Sequence, residues 1–127
     1  MLSGIMKVNE YSPLVLAYIG DAVYELYVRK HITKENNIQV DKLHKKAVSI
    51  VKSSAQARSY YLIESILTEE EATVFKRGRN AKSSVPKNSD MSEYKTATGL
   101  EALIGYIYLK GDTNRLEEIM NLILSEN

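Results

Sequence analysis

Asp21 and Glu101 are the two acids whose settings could turn a carboxylate to chemistry. Asp21 stands in the middle of Leu14–Val28, LVLAYIGDAVYELYV, and Glu101 in Ala97–Leu109, ATGLEALIGYIYL. On a helix, a side chain meets its neighbours three and four residues away. For Asp21 these are Ala17, Tyr18, Tyr24 and Glu25; for Glu101 they are Ala97, Thr98, Ile104 and Gly105. Neither set holds a cation, and a carboxylate among apolar groups is costly unless something compensates it. Two readings satisfy that need. The helices pack together and the acids share a divalent cation, Mg²⁺ or Mn²⁺, which carboxylate oxygens and water suit. Otherwise each acid separately meets a backbone amide or a distant arginine.

The elements that would position these acids are helices. Ser12 caps the first and Pro13 fits its opening position, and the apolar pattern carries it to about Arg29–His31. Apolar residues on every side predict a buried helix, and the run is too short to cross a membrane. Asp90, with Glu93 three residues on, opens the second helix and Gly111 closes it. Gly99 and Gly105 within it point to close packing against other helices. Between these two lie a polar connection (Lys30–Gln39) and a helix from Val40 to Lys52 carrying Leu43, Ala47, Ile50 and Val51. A further helix, capped by Ser54, bears Ala57, Tyr60, Ile63 and Leu67. His44, Lys45 and Lys46 lie off the stripe of the Val40–Lys52 helix, as a solvated face or an RNA-backbone contact. Thr68 and Glu71 form a capping box for a helix running toward Arg79. Thr113 caps a last helix with Leu116, Ile119, Met120, Ile123 and Leu124 on one face. Ile5, Val8 and Tyr11 are expected to dock on the core. No stretch alternates as a strand requires, so the expected class is all-α, with residues 1–127 as a single domain.

Lys76–Lys87, KRGRNAKSSVPK, holds five basic residues and no acid, a local excess hidden by the formal net charge of +1. Gly78, Ser83, Ser84 and Pro86 mark it as a loop. Such a run is either solvated or the footprint of phosphate-backbone binding. Aromatics do not interleave with the basics, which favours duplex recognition over base stacking. The chain has no cysteine, so disulfides and thiolate metal sites are excluded. No basic segment followed by a long apolar core opens it, and a cytoplasmic location is expected.

YIGDAVYE and LEALIGYIYL resemble, in this order, the two signature motifs of the ribonuclease III family. The likeness covers most of the chain. It is nearest to the small members that lack a separate double-stranded-RNA-binding domain, to which RGRNAKSS followed by PKN is also similar. The resemblance implies a homodimeric, ribonuclease III-type helical fold. It implies a metal-dependent endoribonuclease that cuts double-stranded RNA to leave a 5′-phosphate, acting on precursor 23S (large-subunit) ribosomal RNA. Asp21 and Glu101 would be both catalytic and metal-binding, with Mg²⁺ or Mn²⁺. Arg77, Arg79, Lys82 and Lys87 would bind RNA, and Tyr18 would lie in the dimer interface. Larger members carry two more carboxylates per site, at the positions of Ala17 and Thr98 here, so only Asp21 and Glu101 carry over. Two other classes remain open. One is a non-catalytic RNA-binding or ribosome-associated protein on the same fold; the other is a helical dimerisation module with a structural ion.

Overall fold

The computed structural model describes residues 7–34 and 37–126, and Ile5 lies outside them. Its described residues form six α-helices and no strand: α1 (Pro13–Thr33), α2 (Val40–Val51), α3 (Ser53–Ile63), α4 (Glu69–Asn80), α5 (Met91–Lys110) and α6 (Thr113–Leu124). Short 3-10 turns cover Val8–Glu10 and Glu64–Ile66.

Local chemistry accounts for most boundaries. The Ser12 hydroxyl accepts from the Val15 amide and Pro13 takes the first turn of α1. Thr68 and Glu71 close the predicted capping box on α4. Asp90 caps α5, and Gly111 ends it in the left-handed conformation (φ 78°) that glycine adopts without strain. Two caps differ from expectation. α3 begins at Ser53, after a Lys52 N-cap that makes no side-chain bond, so Ser54 is not its cap. Asp112, not Thr113, caps α6 by accepting from the Arg115 amide, a stronger acceptor one residue earlier.

α5 is the centre of the fold and packs against α1, α3, α4 and α6. Thr96–Leu100 and Ala102–Ile107 are all buried, so α5 is the helix covered on every side. The core adds Leu16, Tyr24 and Val28 from α1, Ile63 from α3, and Ile119 and Ile123 from α6. Val8 and Tyr11 pack on it, as expected. Glu71 and Arg115 pin α4 to α6 through a partly buried ion pair at 2.7 Å, and the same guanidinium donates to the Ile66 carbonyl at 2.7 Å.

The expectation that α1 is buried all round is corrected. Leu16, Ala17, Gly20, Val23, Tyr24, Val28 and Ile32 face the core, but Val15, Leu26 and Tyr18 are 44%, 59% and 80% exposed. Tyr18, Ala22 and Leu26, four apart, make an apolar outer stripe. The loop expected from Lys76 is corrected too: α4 runs through Arg77 and Arg79 to Asn80, and only then does the chain leave the helix. Gly78 is no breaker here. A Cβ on it would stand 2.7 Å from that of Ala102 and 3.0 Å from the Gly99 Cα. Its missing side chain lets α4 press against α5.

Candidate active site

The two acids meet where α1 crosses α5. That crossing is a backbone-to-backbone contact: a Cβ on Gly20 would overlap the Glu101 carbonyl, and one on Gly105 the Leu16 carbonyl. Gly20 precedes Asp21, so the closest approach of the helices falls at the level of the carboxylates. Asp21 stands at the exposed edge and Glu101 is partly buried beneath it. The expectation that both acids lie among apolar groups is thereby corrected for Asp21. Asp21 projects from the outer half of α1, which the core does not cover.

Burial, then the negative charge of Asp21 and a hydrogen bond shared with it, push the Glu101 carboxyl up to about 8. A neutral partner opposes that shift: Gln56 of α3, itself 2% exposed, donates from Nε2 to Glu101 Oε2 at 3.5 Å. Among the described residues neither Asp21 nor Glu101 joins an ion pair with a cation. Glu25, one turn along α1, does so with Arg29 at 2.8 Å. Tyr24 is fully buried below, and burial pushes its hydroxyl up to about 12, so it brings no charge to the site. The positions of the two missing carboxylates are closed: Ala17 and Thr98 are 6% and 8% exposed, and the Thr98 hydroxyl donates to the Tyr94 carbonyl at 3.0 Å.

No group of three or more ligating side chains exists among the described residues. The two carboxylates alone fit a hard divalent ion that keeps most of its water, since Mg²⁺ is commonly held by one or two carboxylates plus substrate phosphate. With no side-chain cation paired to either acid among the described residues, burial and the charge of Asp21 hold the proton on Glu101, and such an ion would take that proton's place.

The basic residues do not form one patch. Arg77 is exposed and lines a groove with Glu70, Thr73, Tyr106 and Lys110. Arg79, two residues on, turns the other way: it is partly buried, its guanidinium lies 5.7 Å from the Phe75 ring centre, and its Nε donates to Asn80. Lys82 and Lys87 are exposed on the segment between α4 and α5. Sequence reasoning misses Gln56. Its spacing of three, four and seven from Ser59, Tyr60 and Ile63, all buried, is the pattern that marks it as inward-facing.

The described residues thus form an all-helical unit with a carboxylate pair at the crossing of α1 and α5. Residues 14–112 match the family model described as the ribonuclease III domain. The chain is 50% identical over 119 residues to Mini-ribonuclease 3 of Clostridium tetani, covering 92% of this chain and 79% of that one. It is 38% identical over 120 residues to Mini-ribonuclease 3 of Streptococcus pneumoniae, covering 92% and 94%. A crystal structure of a Fusobacterium nucleatum protein superposes with a TM-score of 0.84 at 34% identity, covering 94% of this chain and 96% of that one. The chain therefore belongs to the ribonuclease III family, and with it to the endoribonucleases.

Proposed function

We propose that the chain cleaves double-stranded RNA in a divalent-metal-dependent reaction and that its substrate is precursor 23S ribosomal RNA. The observation that carries the metal dependence is the Asp21–Glu101 pair: two carboxylates brought together by a helix crossing, with no side-chain cation paired to either among the described residues. These two residues would hold Mg²⁺, or Mn²⁺, by their oxygens, Asp21 from the open edge and Glu101 from below. When bound, such an ion lowers the pKa of its water and stabilises charge on a scissile phosphate. Asp21, at the exposed edge, is open to an RNA backbone. Arg77, Arg79, Lys82 and Lys87 are assigned to phosphates, a role that needs no contact with base edges.

Cutting both strands of a duplex takes two sites of opposite polarity, which a two-fold dimer supplies. The outer stripe of α1, on which Tyr18 is 80% exposed, supports a homodimer interface there. It continues into a groove of about 460 Å³ lined by Ile19, Ala22, Leu26, Tyr27, Tyr108 and Leu116. Among the described residues no helix is long and apolar enough to cross a membrane, and a cytoplasmic setting accords with an RNA substrate.

One observation favours a second reading, an RNA-binding protein without cleavage: the closed positions of Ala17 and Thr98 leave only two acids. A nuclease assay on duplex RNA with Mg²⁺ separates the two. Cleavage by the natural chain and none by Asp21→Asn or Glu101→Gln, with RNA binding kept, is the expected result. Binding without cleavage by the natural chain would establish the second reading.

A further inference from the structure

We infer that Gln56 is a positioning residue for the metal site, an inference that rests on the reading of Asp21 and Glu101 as metal ligands. Gln56 is 2% exposed, and burying an amide is costly unless its donors are used. Its Nε2 donates to Glu101 Oε2 at 3.5 Å across 45 residues of sequence. That bond occupies one acceptor site of Oε2 and leaves Oε1 the freer oxygen for an ion shared with Asp21. The chemical type matters as much as the place. An arginine or lysine here would neutralise the pair and compete with a divalent ion, and a glutamate would add a third negative charge. A neutral donor orients one oxygen of Glu101 and leaves the full charge of the pair for the ion. Gln56 sits on a rigid support: α3 packs against α5, and Tyr60, one turn on, stacks on Phe75 of α4 with ring centres 3.8 Å apart. Partners that orient metal ligands typically cost on the order of ten- to a hundred-fold in metal affinity or activity when removed.

The test uses Gln56→Met, which keeps the volume and removes the donor, and Gln56→Asn, which keeps a buried amide but withdraws it by one methylene. Mn²⁺ affinity is measured by calorimetry on the RNA-free protein, kcat and KM on an RNA duplex, and folding by circular dichroism. Asp21→Asn is measured alongside. The expected result is Mn²⁺ affinity and kcat each reduced on the order of ten-fold in both variants, with KM for RNA within about two-fold of wild type and the fold retained. Unchanged Mn²⁺ affinity and kcat in both would overturn the inference, as would a rise in KM alone, or a loss of activity that only tracks the folded fraction. If Asp21→Asn still binds Mn²⁺ and cleaves as wild type does, the metal-site reading itself fails and takes this inference with it. Gln56 variants that behave as wild type beside an inactive Asp21→Asn sink this inference alone.

Discussion

Without metal, Glu101 should weaken the fold as pH rises, and Glu101→Gln should remove that weakness. The native carboxyl keeps its proton to about 8, whereas in the unfolded chain it ionises at the ordinary 4.5. Between those values the native state binds more protons than the unfolded state, so stability falls as pH rises through the window. Below 4.5 the effect is absent, and above 8 it no longer grows. At about 1.4 kcal/mol per pKa unit, the span from 4.5 to pH 7 sets a ceiling of about 3 kcal/mol. Water reaching the exposed Asp21 edge reduces this, and ~2 kcal/mol is the expected cost. For a chain of this size that is on the order of 5–10 °C in Tm. The assay is thermal unfolding by circular dichroism in chelator, at fixed protein concentration, from pH 5 to pH 8.5. Wild type should lose on the order of 5–10 °C more than Glu101→Gln across that range, with the two close at pH 5. Millimolar Mg²⁺ at pH 7.5 should raise the wild-type Tm and leave Glu101→Gln nearly unmoved. Parallel curves for the two proteins, with and without Mg²⁺, would refute the premise that the pair is an electrostatic strain awaiting a cation.

Replacing Arg77, Arg79, Lys82 and Lys87 together by alanine should weaken duplex binding alike across sequences. It should make the slope of log K against log salt shallower by up to about four, one for each phosphate no longer neutralised; an unchanged slope would return these residues to solvent. Because Arg79 is held over Phe75, Arg79→Ala alone should change that slope less than Lys82→Ala or Lys87→Ala. Tyr18→Ala should weaken dimerisation in sedimentation equilibrium and lower double-strand cleavage at low protein concentration. A wild-type chain that stays monomeric at tens of micromolar and still cuts both strands would disprove the dimer. Gly20→Ala should destabilise by about 3 kcal/mol or more in denaturant unfolding, because its Cβ meets backbone rather than a movable side chain; a loss under about 1 kcal/mol would show that the crossing has slack.

Much of the fold is legible in particular residues. Ser12 with Pro13, Thr68 with Glu71, Asp90 and Gly111 each carry their signal within a few positions, because a cap is a local hydrogen bond. The exposure of α1 is not legible. An apolar residue awaiting a second surface reads the same as one in the core, and Tyr18 and Leu26 are apolar letters in either case. Gly78 misleads for a related reason: glycine marks both a break in a helix and a close approach of two helices, and only α5 across from it decides which. Of the candidate site, Asp21 and Glu101 stand out because each lacks a cation within one helical turn. Gln56 does not: its helical spacing marks it only as inward-facing, and its partner is 45 residues away.

Neither acid is placed by a side-chain partner on its own helix; both are placed by the contact of two backbones at Gly20 and Gly105. A contact between backbones has less freedom to relax than one between side chains, since neither surface can change rotamer. That rigidity would suit the proposed site, in which only Asp21 and Glu101 would hold an ion and any slack in their spacing would show directly in affinity. The two carboxylates absent at Ala17 and Thr98 are replaced by small, buried side chains on the faces where α1 and α5 approach the core. On the proposed reading, few ligands and a close backbone crossing belong together, and the Gln56 bond to Glu101 from α3 would add a third constraint.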